Sequence, residues 1–167
     1  EKKLLFNTSS LITNYPLCLN SIMLDIKKLN KLDYSFDENF SHISDFDLIV
    51  RLSSISKMAY INEVLSGWRI HNNNESFKRK NVFYQEREKW CDYHLKNKIL
   101  KEYKREITEL RIITYAQKRI MNYEFNIQSF FNLNINSFSN LKNMLFTLLS
   151  FVPIFPKILI HIRKSLF

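Results

Sequence analysis

Between residues 45 and 54 apolar residues recur at Phe46, Ile49 and Leu52, with Ile55 next in the series, a spacing that predicts a helix. Its start is written in the same letters. Ser44 fits an N-cap, Asp47 fits the capping-box acid at the third helical position, and Asp45 and Asp47 both suit the positive end of a helix dipole. Around it the pattern changes. Residues 18–25 (CLNSIMLD) alternate as a strand does, the following IKKLNKL predicts a short helix, and KMAYINEVLSGWRIH predicts two short strands around Asn62 and Glu63. Strand, helix, helix, strand is an α/β order.

Residues 81–123 contain neither Gly nor Pro, and Trp90, Tyr103, Ile107, Leu110 and Ile113 recur near the helical period. They predict one long helix, broken near residues 96–98, whose apolar stripe packs in a core. Residues 125–167 lack any Asp or Glu. Their run MLFTLLSFVPIF falls short of the ~20 residues that span a bilayer. With Lys142, Lys157, Arg163 and Lys164 around it, the tail suits a membrane interface, apolar residues at the acyl boundary and cations near lipid phosphates. The alternative is a terminal helical hairpin, bent at Pro153 and Pro156 and packed on the body. Three sections are therefore expected: 1–78, α/β; 79–124, a long helical segment; and 125–167, a basic amphipathic tail.

Composition narrows the chemistry. The chain has 167 residues and is 46% hydrophobic, enough for a real core, and its net charge of +9 points to an anionic partner. Gly67 is the single glycine, which excludes a glycine-rich phosphate loop. Two cysteines, Cys18 and Cys91, make neither a disulfide framework nor a zinc site, and a reducing cytoplasm suits them. The sequence opens at Glu1 without a Met or a signal-peptide pattern and reads as a fragment.

Within WRIHNNNES, Arg69 and His71 share one face of the expected strand, and a loop of amides follows. A carboxylate, an arginine and a histidine at the ends of ordered elements are the parts of a site for a phosphate-bearing substrate. Residues 19–76 as a whole resemble the second half of a family 2 glycosyltransferase domain of the inverting GT-A type. The residues that carry the resemblance are Phe36, Asp37 and Glu38; Ser44 and Asp45 with Asp47, Leu48, Arg51 and Leu52; Val64 and Leu65; and Arg69, His71, Asn74 and Ser76.

The resemblance implies an α/β fold, a partial GT-A domain followed by a mostly helical extension. It makes Asp45 the general base that takes the proton from an acceptor hydroxyl as that oxygen attacks the sugar's anomeric carbon. It assigns Asp47, Arg69 and Asn74 to the substrate and its diphosphate, and His71 to a metal. Ser44 stands where the family usually has Glu, which removes that residue's part in positioning. The donor half, with the DxD that holds a divalent ion, has no counterpart here; Mg²⁺ or Mn²⁺ would be bound mostly by that missing half. The expected partners are a nucleotide-sugar donor, a glycan or lipid-linked acceptor and a peripheral membrane surface. The expected setting is the cytoplasmic face of the cell membrane, during bacterial surface polysaccharide synthesis.

A different class of protein also fits: a non-catalytic basic helical module, or an inactive transferase remnant, bound to a membrane surface. Nucleic acid is not an expected partner, because Glu86 and Glu88 interrupt the basic, aromatic stretch SFKRKNVFYQEREKW and no recognised motif appears.

Overall fold

The computed structural model describes residues 6–71, 73, 74, 78–122, 138 and 141–152. The helices bounded within them are α1 (Thr8–Thr13), α2 (Ile26–Leu29), α3 (Ser44–Ile55), α4 (Lys80–Lys96), α5 (Lys104–Asn122) and α6 (Leu141–Leu149), with 3₁₀ turns at Leu19–Ser21 and Lys101–Tyr103. There is no strand among the described residues, so the α/β, GT-A-type expectation is overturned and the body is helical.

The physical reason shows at the segments expected to be strands. Apart from an isolated bridge at Tyr60, residues 57–71 form no strand among the described residues, and a segment without a paired neighbour cannot satisfy its N–H and C=O groups in a sheet. Many of their apolar side chains face solvent, with Val64 99% exposed and Met23, in the other expected strand, 97%, while Met58, Ile22 and Leu24 pack on the core. The Asn20 side chain, donating to the Gly67 carbonyl at 3.0 Å, links the two stretches. Alternation marked residues that fit a sheet; the described chain supplies no sheet.

The helices hold because their apolar stripes meet. Buried Ile107, Leu110, Ile113, Ala116 and Ile120 form the inward face of α5, against which Trp90 and Cys91 of α4 pack. The two helices are antiparallel, as cross-links descending on one and rising on the other record: Arg87 to Gln117 at 3.0 Å, Lys118 to Glu88 at 2.8 Å and Arg111 to Asp92 at 3.0 Å. The break between them starts after Lys96, close to the expected position near residues 96–98, and the chain re-enters helix through the 3₁₀ turn at Lys101–Tyr103.

The short α1 is absent from the sequence reading. It is held by a reciprocal cap, in which Asn7 Oδ1 accepts from the Ser10 amide at 2.8 Å and Ser10 Oγ accepts from the Asn7 amide at 3.2 Å. Leu11 and Ile12 then enter the same core as Phe46 and Ile49 of α3. Helix α6 closes on α5: Asn143 donates to Glu109 at 2.6 Å, and the Arg119 guanidinium lies 4.4 Å from the Phe151 ring centroid. The bend expected at Pro153 and Pro156 lies outside the described residues. No helix among the described residues is long and apolar enough to cross a membrane.

Candidate functional site

Helix α3 begins one residue earlier than its Ser-Asp pattern predicts. Ile43 is the N-cap and its side chain makes no capping bond. The capping is done from α4: Glu86, whose residue is 6% exposed, accepts from the amides of Ser41 at 2.9 Å, His42 at 2.7 Å and Ile43 at 3.2 Å, and from the Ser41 hydroxyl at 2.7 Å. A carboxylate from a different helix thus satisfies the N-cap amide that the helix start leaves open, together with the two amides before it. Burial alone would raise the Glu86 carboxyl, but these four donors hold it below the ordinary glutamate value.

With the start shifted, Asp47 moves past the capping position and into the core, where it is fully buried. Arg51, one turn on, donates to its Oδ2 through Nε at 2.9 Å and Nη2 at 2.6 Å, and the Trp90 indole N–H donates to Oδ1 at 2.8 Å. Burial raises the Asp47 carboxyl; attraction from the other side wins, and the net shift is downward. His94 Nε2 is 3.6 Å from Oδ1, too long for a hydrogen bond, so the shorter contacts from Arg51 and Trp90 carry the effect. Arg51 spends its remaining donors on the carbonyls of Tyr34 at 2.8 Å and Ser35 at 2.6 Å, and its guanidinium stacks 4.0 Å from the Tyr34 ring centroid. Asp47 therefore faces Arg51 and Trp90, not a surface open to a diphosphate.

Asp45 is left at the rim of this buried network. It is only partly buried, and its Oδ1 accepts from the Phe46 amide at 2.8 Å. Loss of solvent raises its carboxyl above the ordinary aspartate value, a shift that the amide and the neighbouring Tyr15 hydroxyl reduce without cancelling. Tyr15 comes from the segment after α1, and its phenol is pushed up in turn, by burial first and the charge of Asp45 second. Its hydroxyl is close enough to feel that charge but does not reach hydrogen-bond geometry. So Asp45 and Asp47, separated by one residue, are driven in opposite directions: one toward holding a proton, the other away from it.

No family model, curated protein or solved structure matches this chain. The remaining expected residues are placed by geometry alone. Arg69 and His71 are exposed, and with Asn74 they form a turn: the His71 amide donates to Asn74 Oδ1 at 2.7 Å, Asn74 Nδ2 donates to the Arg69 carbonyl at 3.2 Å, and the Asn73 amide donates to His71 Nδ1 at 3.2 Å. The turn does not bring them to Asp45 through any contact among the described residues. Nor do three His, Cys, Asp or Glu side chains converge among the described residues. His71, with Nδ1 already accepting a bond, does not by itself make a donor set that fits Mg²⁺ or Mn²⁺, which call for several oxygen ligands.

Two features escaped sequence reasoning. Tyr15 carries no local pattern that would pair it with Asp45, thirty positions on. Trp90 and Glu86 gave a helical stripe and an acid interrupting a basic stretch, with nothing to show that the first reaches α3 and the second the amides just ahead of it.

Proposed function

We propose that the chain carries the acceptor-activating part of a glycosyltransferase, with Asp45 as general base. The carrying observation is the raised carboxyl of Asp45 at the start of a helix held from two sides, by Glu86 at the amides of Ser41, His42 and Ile43 just ahead of it and by Asp47, Arg51 and Trp90 one turn in. A base works best when its pKa approaches the working pH, and partial burial moves Asp45 that way. Its side chain remains reachable because Asp47, not Asp45, is the residue sealed in the core. The motif residues Phe36 to Glu38, Ser44 to Leu52 and Arg69 to Asn74, which resemble family 2 glycosyltransferases, supply the reaction class. In this reading a nucleotide sugar is the donor, a glycan or lipid-linked hydroxyl the acceptor, and exposed Arg69 is available to the leaving diphosphate. No step is routed through a metal.

The reading also puts the protein at the inner face of the cell membrane. Leu141, Leu145 and Leu149 of α6 lie one turn apart and are 64%, 47% and 43% exposed, an apolar stripe on a chain of net charge +9.

The test is sugar transfer by the intact protein carrying this chain, using a panel of labelled nucleotide sugars. Asp45→Asn is expected to lower turnover by about 10²–10⁴-fold, the usual contribution of a general base. It should not lower stability. A carboxyl whose pKa is raised on folding favours the folded state while protonated and loses that benefit as it ionises, so a neutral amide is at least as well tolerated at neutral pH. Unchanged turnover in Asp45→Asn removes the residue from the reaction; lost turnover with lost folding leaves it a structural residue.

A further inference from the structure

An open cleft lies between α4 and the turn at residues 34–40, with a volume of 710 Å³, inside the roughly 300–1,000 Å³ range of small-molecule sites. The rings of Tyr34, Phe36, Phe40 and Tyr93 line it, and Asp37, Glu38, Asn39 and Lys89 supply its polar groups. We propose that this cleft is a saccharide subsite, taking the acceptor glycan; that role rests on the transferase reading, whereas the binding itself does not.

The chemistry matches a sugar on both of its surfaces. A pyranose ring presents a C–H face, which suits flat aromatic rings with their negative π-surface, and a rim of hydroxyls, each needing both a donor and an acceptor. Carboxylates of Asp37 and Glu38 accept, the Lys89 ammonium donates, and the Asn39 amide offers both. Two carboxylates against one ammonium disfavour a diphosphate, so the cleft suits the acceptor and not the donor's leaving group.

The cleft is also held in shape before any ligand arrives. Arg51 stacks on Tyr34 and bonds the carbonyls of Tyr34 and Ser35, and Asp37 Oδ1 accepts both the amide of Asn39 at 2.9 Å and its Nδ2 at 2.8 Å. Phe40 packs on the hydrophobic core. Phe36 and Tyr93, by contrast, are 46% and 47% exposed at the cleft, although Tyr93 also meets the buried His94 ring edge-on with centroids 5.0 Å apart. Walls fixed by the buried network lower the ordering cost of binding.

Binding is measured without any donor, by amide chemical-shift titration of the ¹⁵N-labelled chain. The probes are methyl glycosides of glucose, galactose and N-acetylglucosamine and their β-linked disaccharides, with inorganic pyrophosphate and a tetralysine peptide for comparison. Saturable shifts confined to residues 34–40 and 89–93, with at least one saccharide, are expected. Tyr93→Ala and Phe36→Ala should each weaken that binding about tenfold, the loss of one stacking ring. Phe36→Ala should keep the wild-type circular dichroism melt, and Tyr93→Ala, which gives up the ring contact with His94, should still melt cooperatively. Absence of saturable shifts with every saccharide overturns the proposal, as do shifts elsewhere on the chain or a cleft that saturates with pyrophosphate or tetralysine instead. Saccharide binding in a protein that transfers no sugar defeats the transferase reading alone; transfer without binding in this cleft defeats the subsite alone.

Discussion

Replacing Asp47 by Ala removes the acceptor for three hydrogen bonds at once, two from Arg51 at 2.9 and 2.6 Å and one from Trp90 at 2.8 Å. Arg51 is 2% exposed and cannot recover solvent in exchange. Leaving a buried charge without its partner typically costs about 3–5 kcal/mol. Here Arg51 keeps its bonds to the Tyr34 and Ser35 carbonyls, which places the expected loss near the lower end, about 3 kcal/mol. Asp47→Asn keeps an oxygen for Trp90 but turns an NH2 toward the two Arg51 donors, so it loses the charge and both Arg51 hydrogen bonds and should cost about as much, about 3 kcal/mol. Pairing Asp47→Ala with Arg51→Met should recover part of the loss, because the orphaned charge goes with it.

Urea unfolding followed by far-ultraviolet circular dichroism gives these numbers, and pH supplies a second check. The folded Asp47 carboxyl lies below its unfolded value, so its contribution is complete above the ordinary aspartate pKa of about 3.9 and is lost as pH falls through the folded value. The gap between wild type and Asp47→Asn should therefore be full at neutral pH and close in strong acid. Asp47→Ala within about 0.5 kcal/mol of wild type would refute the reasoning, since that is the range of an ordinary surface change. So would a gap indifferent to pH.

Glu86→Ala should destabilise the protein by about 1–2 kcal/mol in the same assay, the cost of losing a helix cap, although Glu86 is forty-odd positions from the amides it serves. Under native conditions a thiol reagent should modify exposed Cys18 rapidly and spare Cys91, whose burial pushes its thiol up to about 12; mass spectrometry after denaturation should find both modified. Leu141→Ser with Leu145→Ser should reduce flotation with anionic lipid vesicles while leaving the melt unchanged, because both side chains are exposed. Val64→Ser with Trp68→Ser should lower the binding of a hydrophobic dye, since the first is 99% and the second 55% exposed.

What was legible in the sequence was what depends on near neighbours. The helix expected over residues 45–54 is Ser44–Ile55, and the break expected near residues 96–98 falls between Lys96 and Lys101. Apolar spacing along one helix is a local signal, and an Asp47–Arg51 pair one turn apart is local too. The choice between cap and core for Asp47 was not local. It was decided by Glu86, which took over the capping at the Ile43 amide and let the helix start at Ser44, and by Trp90, which gave the second carboxylate oxygen a donor. The strands failed for the same reason in reverse. Alternation at residues 18–25 and 57–71 needs a pairing partner to become a sheet, and the described chain brings none to them. Asp45 could be named from its motif, but the features that bear on its chemistry, partial burial and Tyr15 beside it, come from a segment thirty residues away.

The central claim is that two acids separated by one residue are held in opposite ways, Asp45 with a raised carboxyl, as the proposed base requires, and Asp47 with a lowered one in the core. Titration of the side-chain ¹³C carboxyl resonances, assigned through the Asp45→Asn and Asp47→Asn variants, measures both groups in one sample. The account predicts that Asp45 titrates above the ordinary aspartate value and Asp47 below it. Coincident titrations, or the reverse order, would contradict it.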